Sequence, residues 1–466
     1  MDKMENTNLE NLTNNDTDEV LEEKKKKKIK IIIIVVACVV VVTLIIVLSV
    51  VLTRKTQDPN FYGCMCDAGS SSTRVSVYTW PPRNGNSIPN ITEKGRKSTE
   101  PGMHTMDEKQ IEGAMDVLIN YCKDTVKDVS KNTANLSDVS FYLKGTAGMR
   151  SLDVEQQNKK LDVIRKKIRE SKLKFLKNEW AKVITGKEEG MFGWITGNYL
   201  NKILFDNEKA SKIEKRPYGS IDLGGYSLEI TFYTSEEIKK HKVDLSMSNL
   251  VYSLYSYSFQ DYGQDKFNEN LLKNIIKSQK QEGKTIKHPC YLNGYTTYYV
   301  YDNDNYTIIG NNDIEECRKT VEDLMVINTE KDMSMNYTYQ PSVPQDTVFY
   351  GISGLYWIAK FFNLTDDKFH APKEFLTGSE QFCKKSWEEA KSEYGANYKE
   401  EHMKNYCISG YYVYAFLSKG FKLDENKKLI MFPDKINNVE VSWTLGAMSY
   451  EIGLQPLKNA KFYIDV

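Results

Sequence analysis

A chain of 466 residues is long enough for two or three domains of ordinary size. Its 63 basic and 63 acidic residues cancel, which removes support for a general polyanion-binding role such as nucleic acid. Five histidines and no HExxH pattern argue against a histidine-rich zinc site.

Residues 1–23 are polar and rich in Asn and Glu, the composition of a disordered tail. Ile31 to Leu52 is an uncharged apolar run of 22 residues. As a helix it would span roughly 33 Å, enough for a bilayer core of about 30 Å. Lys24 to Lys28 and Lys30 precede it, and only Arg54 and Lys55 follow closely. The positive-inside rule then predicts a type II topology, with residues 1–30 in the cytoplasm and everything after about 53 outside the cell or in a secretory lumen. A cleaved signal peptide is the rival; its apolar core would be about 7–15 residues with a small-residue cleavage site, and neither is seen. Beyond the anchor lie five Asn-x-Ser/Thr sequons, at Asn90, Asn135, Asn305, Asn336 and Asn363. Seven cysteines lie there too, at 64, 66, 122, 290, 317, 383 and 407, so at least one stays unpaired within the monomer.

Residues 53–60 read as a stalk, and a globular region begins with a strand at Phe61–Cys66. Proline and glycine between Pro81 and Gly102 mark loops. Residues 107–128 carry Ile111, Met115, Leu118 and Cys122 at helical spacing, and 153–182 reads as a second helix with Leu161, Ile164 and Ile168 on one face. Past Tyr218 strand-like and helical stretches alternate, as in α/β proteins.

Two segments share one design. Phe61–Thr73 is an apolar run ending in Asp67, then Ala68-Gly69-Ser70-Ser71-Ser72. Ser220-Ile221-Asp222-Leu223-Gly224-Gly225-Tyr226-Ser227 repeats the pattern downstream. An aspartate at a strand end can hold a hydrated metal ion, and the glycines and serines after it let backbone N–H groups close on phosphate oxygens. A pair of such turns predicts a cleft between two related lobes. Taken alone, either turn is equally a plain strand-turn. Between them, Phe141–Gly145 reads as a strand ending in a Thr146-Ala147-Gly148 turn, and Glu188-Glu189-Gly190 precedes an aromatic stretch. One carboxylate of that pair in a partly dry cleft could deprotonate a water attacking phosphorus. A surface Glu pair ahead of a helix is the blander alternative.

These segments, with Phe349–Trp357 as a fifth, stand in the order and spacing of one family. The chain resembles the ecto-nucleoside triphosphate diphosphohydrolases, or apyrases. The motifs read DAGSS at Asp67–Ser71, TAGMR at Thr146–Arg150, EEGMFGWITGNY at Glu188–Tyr199 and DLGGYS at Asp222–Ser227, with a closing WTLG at Trp443–Gly446. The resemblance covers roughly residues 61–458. It implies an α/β fold of two ribonuclease-H-like lobes, the superfold of actin, sugar kinases and heat-shock ATPases, behind an N-terminal transmembrane helix. We expect lobe I at 61–175 plus 443–466 and lobe II at 176–442.

By the same resemblance, Asp67 and Asp222 hold Ca²⁺ or Mg²⁺ through water. Gly69, Ser70, Ser71, Thr146, Gly224, Gly225 and Ser227 would bind phosphate, Glu189 would act as general base, and Tyr356 and Trp357 would stack on the base. Arg150 lies near the site, and Glu188 is the structural neighbour. The substrates implied are nucleoside tri- and diphosphates, split at the terminal phosphate by metal-assisted in-line attack of water. Cys290–Cys317 and Cys383–Cys407 would be family disulfides, whereas Cys64, Cys66 and Cys122 read as small buried hydrophobes. This chain departs at Tyr226, where the family has Ala, and at Glu229, where it often has Gln. Gly283-Lys284-Thr285 mimics the end of a P-loop, but Ser278 replaces the required first glycine. Two alternatives stay open: a nucleotide-binding surface protein with impaired catalysis, and another phosphotransfer enzyme of the same superfold. Oligomeric state is open.

Overall fold

The structure is a computed structural model that describes residues 6–53, 58–83, 88–204, 216–247, 250–326, 335 and 338–454. Residues 54–57 of the stalk predicted at 53–60, the sequon residue Asn336 and the C-terminal residues 455–466 lie outside the described residues. The chain divides into Met1–Asp58 and Pro59–Val466.

The first unit is one helix, α1 (Asn6–Thr53). Its segment Leu21–Ile46 has a mean hydropathy of 3.3 and is long and apolar enough to cross a membrane. The helix starts within the tail expected to be disordered. Extending an existing helix adds one hydrogen bond per residue without a new nucleus. Glu22–Lys26 and Glu23–Lys27 ion pairs one turn apart support that extension.

The second unit is built on two sheets with a common plan. The first has strands β1 (Phe61–Ala68), β2 (Thr73–Trp80), β3 (Thr92–Thr99), β4 (Ser140–Gly145) and β5 (Ala181–Val183), in the order β3-β2-β1-β4-β5. The second contains β6 (Gly219–Leu223), β7 (Ser227–Tyr233), β8 (Lys242–Met247) and β9 (Leu250–Gln260). A separate three-stranded sheet of β10 (Thr285–His288), β11 (Thr296–Tyr301) and β12 (Asp304–Gly310) follows. The chain then returns to the second sheet with β13 (Phe349–Ser353) and β14 (Ile430–Met431), completing the order β14-β13-β6-β7-β9-β8. In each large sheet the strand ending at the Asp turn pairs antiparallel with the next strand and parallel with a later one: β1 with β2 and β4, β6 with β7 and β13. β5 belongs to the first sheet although it lies past residue 175.

Helices α2 (Glu108–Val129), α3 (Ala147–Arg150) and α4 (Val154–Glu170) accompany the first sheet. α2 is set by an Asp107–Gln110 capping box and buries the predicted Ile111, Met115, Leu118 and Cys122. α4 ends at Glu170, well short of the predicted 182. Lys172 takes φ 64°, a left-handed turn made without the glycine that usually announces it. α5 (Gly186–Leu200) and the late helix Trp443–Leu454 lie between the sheets: Phe192, Trp194, Leu445 and Met448 share one core with Met65, Tyr78 and Tyr142 of the first sheet and Leu254, Tyr350 and Ile352 of the second.

Strand alternation then places the aspartates. Cys64, Cys66 and Ala68 face the core under α2 and α4, so Met65 and Asp67 face the layer between the sheets. Ile221 and Leu223 face the second lobe's own core, so Ser220 and Asp222 face the same layer; the Ser220 Oγ donates to the Gly190 carbonyl of α5 at 3.4 Å.

The disulfides correct one sequence reading. Cys290–Cys317 and Cys383–Cys407 are bonded as the resemblance implies, but Cys64 and Cys122 form a third bridge rather than two free thiols. β1 and α2 pack through these faces, bringing the two Cα atoms to 6.3 Å. Cys66 stays free and buried.

Candidate active site

A cavity of about 390 Å³ opens where the two Asp turns meet. Every residue the sequence nominated lines it: Asp67, Gly69, Ser70, Ser71, Thr146, Glu189, Asp222, Gly224, Gly225, Ser227, Tyr356 and Trp357. The bland reading of Glu188-Glu189 fails here, because Glu189 is buried in α5 and faces the cavity.

Each turn is fixed from behind. The Thr146 N–H donates to the Ala68 carbonyl at 3.2 Å, so the strand end β4 carries the first turn. Gly148 packs against that turn, and a Cβ there would lie 2.9 Å from the Ser70 Cα, which leaves room only for glycine. The second turn rests on helix α6 (Gln264–Gln279): the N–H groups of Gln264, Asp265 and Lys266 donate to the Gly224 and Gly225 carbonyls at 2.9–3.0 Å. The first turn also reaches α6, Ser71 Oγ donating to Asp265 Oδ2 at 3.4 Å.

Glu188 and Glu189 have divided roles. Glu188 closes a capping box with Thr185 and accepts from Lys182 Nζ at 2.5 Å. Burial alone would raise its carboxyl, but these donors hold it below its ordinary value. Glu189 accepts from Arg150 Nη1 at 2.7 Å. Arg150 stands on α3 of the first lobe, and its other nitrogen reaches Ser227 Oγ at 3.1 Å and Glu229 Oε1 at 3.5 Å in the second. One guanidinium therefore ties α5 to both lobes.

Four acids crowd this space. Burial pushes Asp67 up to about 7, the Glu189 charge adds to the push, and Arg74 opposes it. Burial and Glu189 likewise push Asp222 up to about 7, against a hydrogen bond from Ser353. Burial raises Glu229 well above the ordinary carboxylate range, with Glu189 and Asp222 adding to it and Arg150 opposing. Asp67 Oδ1 and Asp222 Oδ2 are sealed from solvent and lack a hydrogen-bond partner. Orphaned carboxylate oxygens in a site that disfavours their charge fit a cation. Among the described residues no group of three or more His, Cys, Asp and Glu is arranged to hold a metal ion directly. Carboxylate oxygens are donors that suit a hard cation.

The departures have defined places. Tyr226 lines the cavity and turns its ring to His104 at 5.3 Å, edge to face, with Lys266 Nζ 5.4 Å from the ring. Glu229 sits behind Glu189, buried, accepting from Ser258 Oγ at 2.6 Å. Tyr356 and Trp357, on α7 (Gly354–Phe361), meet edge to face at 5.1 Å, with Trp357 58% exposed at the rim. The P-loop mimic is elsewhere: Lys284 pairs with Asp304.

Sequence reasoning missed Arg74, Asp265 and Ser353. Arg74 had a findable signal. A hairpin counted outward from Ala68 and Thr73 puts it directly opposite Asp67, as the structure does. The same count sets Glu229 opposite Asp222. Ser353 holds φ 60° and ψ −122°, strained for a residue with a side chain, where β13 turns into α7.

Two mixed sheets flanking a helical layer, each sending an Asp turn into one cleft, constitute the actin-like ATPase fold expected from the motifs. A crystal structure of nucleoside triphosphate hydrolases from Neospora caninum superposes with a TM-score of 0.64 over 88% of this chain and 96% of that one, at 16% identity. The chain belongs to the GDA1/CD39 (nucleoside phosphatase) family, whose model matches residues 53–461. It is similar to ectonucleoside triphosphate diphosphohydrolase 1 of Bos taurus, 28% identical over 424 residues, covering 83% of this chain and 80% of that protein. It is also similar to ectonucleoside triphosphate diphosphohydrolase 8 of Gallus gallus, 30% identical over 420 residues, covering 83% and 82%.

Proposed function

We propose that this family member is a membrane-anchored nucleoside tri- and diphosphatase that removes terminal phosphates outside the cytoplasm. The observation that carries the reading is the juxtaposition in one cavity of two Asp turns and Glu189. Ser70, Ser71, Thr146 and Ser227, with the backbone at Gly69, Gly224 and Gly225, grip the phosphate chain from both lobes. Glu189, oriented by Arg150, takes the proton of a water whose oxygen attacks the terminal phosphorus. The new P–O bond forms as the bridging P–O bond opposite breaks, releasing phosphate and the shortened nucleotide. Ca²⁺ or Mg²⁺, held through water by Asp67 and Asp222, would offset charge on the phosphate oxygens. Tyr356 and Trp357 border the place of the base. We divide the second unit as the motifs suggest, lobe I at 61–175 plus 443–466 and lobe II at 176–442, with the boundary drawn past β5 so that each sheet stays whole.

The membrane reading rests on the apolar run of α1, the lysines that precede that run within the helix, and the three disulfides, which persist in oxidising compartments. It places the Pro59–Val466 unit at the cell surface or in the Golgi or secretory lumen. The test is phosphate release from ATP, ADP, GDP and UDP by the full chain in detergent, with Ca²⁺, Mg²⁺ or EDTA. Divalent-dependent release is expected; no release from any nucleotide with either ion defeats the reading.

A further inference from the structure

The three-stranded sheet is unlike the others at its edge. Its order is β10-β12-β11, and among the described residues no strand pairs with the outer side of β11. Exposed strand edges invite pairing with another chain, and natural sheets blunt them with charge, proline or shortness. The other edges here follow that rule. β3 carries Glu93, Lys94, Arg96 and Lys97; β8 carries Lys242 and Asp244; β10 carries Lys287; β5 has three residues and β14 two. β11 reads Thr-Thr-Tyr-Tyr-Val-Tyr, six residues with no charge and no proline. Tyr299 and Tyr301 pack toward the core of the lobe. Tyr298 and Val300 point the other way and are 79% and 67% exposed.

The sequon Asn305-Tyr306-Thr307 lies on that outer face. Asn305 is exposed and directly opposite Val300, and Thr307 is opposite Tyr298. Tyr306 and Ile308 point inward and are buried. Facing pairs sit about 5 Å apart and diagonal ones about 7–8 Å, so Tyr298 is also within reach of a group on Asn305. The turn Asp302-Asn303, with φ 55° and 65°, is a tight hairpin tip that presents Asn305 to an enzyme. The other described sequons lack this setting: the Asn135 side chain accepts from the Ser137 N–H, and Asn90 and Asn363 are exposed without an uncharged edge strand opposite.

We propose that Asn305 is an N-glycosylation site whose glycan lies over Tyr298 and Val300 and shields the β11 edge from pairing with a second copy of the chain. The amide nitrogen of Asn305 displaces the dolichyl-pyrophosphate leaving group of a lipid-linked oligosaccharide and loses one proton. The sugar's apolar face covers the Tyr298 ring, and its bulk supplies the protection that charge supplies on the other edges. The inference rests on the extracytoplasmic placement of the Pro59–Val466 unit and is independent of the hydrolase reading.

The test is to produce the full chain in a eukaryotic cell with a secretory pathway and map glycopeptides by mass spectrometry. Occupied Asn305 is expected, lost in both Asn305→Gln and Thr307→Ala; the second variant keeps the asparagine. In detergent both variants should show a dimer or larger fraction raised severalfold by light scattering. Val300→Lys added to Asn305→Gln should return the monomer, with phosphate release unchanged throughout. A bare Asn305 beside an occupied Asn90 or Asn363 overturns the site. Variants that stay monomeric overturn the shielding. No glycan at any sequon overturns the site together with the placement, whereas an occupied Asn305 on a chain that releases no phosphate sinks only the hydrolase reading.

Discussion

The β1–β2 and β6–β7 hairpins are built alike and charged differently. Each ends a buried strand in an aspartate facing the same layer, followed by a glycine turn. Across the ladder Asp67 meets Arg74, whereas Asp222 meets Glu229. The first hairpin therefore has a cation to share the field of Glu189, and the second adds another acid to it. Both aspartates still end near 7, because burial is the largest influence on each. Similar backbones thus leave the second half of the clamp with the greater crowding of acidic groups, relieved by Arg150 and by protonation of Glu229, in the half where this chain leaves the family's pattern.

The largest expected effect comes from the group both hairpins face. Glu189→Gln should lower kcat for nucleotide hydrolysis by on the order of 10²–10⁴-fold. Metal affinity in a nucleotide-free titration should change far less. Retained turnover would remove Glu189 from the role of base and leave the rest of the site intact. Next are the aspartates. Asp67→Asn and Asp222→Asn should each reduce turnover on the order of 100-fold or more and raise the divalent concentration needed for half-maximal rate. With both side chains in place, stability in EDTA has a definite sign. Their folded values near 7 lie above the ordinary 3.8, so between those values the folded state binds more protons than the unfolded one. The contribution of these two aspartates to stability in EDTA must then fall as pH rises from about 4 to about 7 and level off above it. Ca²⁺ or Mg²⁺ should reverse that loss, and Asp222→Asn should raise the EDTA melting temperature at pH 8 by several degrees. An Asp222→Asn variant whose melting temperature in EDTA tracks that of the unsubstituted chain from pH 4 to pH 8 would show that the carboxylate is not strained.

Glu229→Gln sharpens the contrast between the hairpins. An amide keeps the Ser258 contact and an acceptor for Arg150 while removing an acid whose charged form is strongly disfavoured. Raised in the fold, Glu229 contributes stability that is present at low pH and lost as it ionises. The substitution should therefore stabilise the protein in alkaline buffer and leave acid stability nearly unchanged, read by melting temperature across pH. Turnover should shift by less than about tenfold, since the residue touches Arg150 and not the cavity.

How much of this was written in the sequence depends on the range of the cause. The Asp-Gly-Ser turns and the inward Ile111–Met115–Leu118 stripe of α2 are local, and each was readable. The end of α4 was not, because Lys172 adopts the left-handed turn without glycine and the next strand, β5, is only three residues long. Cys64–Cys122 joins residues 58 apart and depends on which face of β1 meets α2, a tertiary fact with no local mark. Arg74 and Glu229 are intermediate cases. Both follow from the turn once the hairpin register is counted, so the electrostatic difference between the two hairpins was legible, though its size needed the burial.

The smallest effect should come from Tyr226, the other departure in the second hairpin. Its ring stands against His104 of the first lobe, within 5.4 Å of Lys266. It therefore fills space between the lobes beside the turn and donates nothing to the carboxylate cluster. Edge-to-face ring contacts are worth roughly 0.5–1.5 kcal/mol. Tyr226→Ala should cost about that much stability and change kcat by less than about threefold. Its effect should fall on KM, because the loosened turn must be ordered when the phosphate chain binds. The informative comparison is with Ala68→Ser, a change of similar locality in the first hairpin, where the residue is wholly buried and is held through its carbonyl by Thr146. If Tyr226→Ala instead abolished turnover while the protein still melted cooperatively, the second turn would depend on the ring for its shape. The two hairpins would then differ in how they are held as well as in how they are charged.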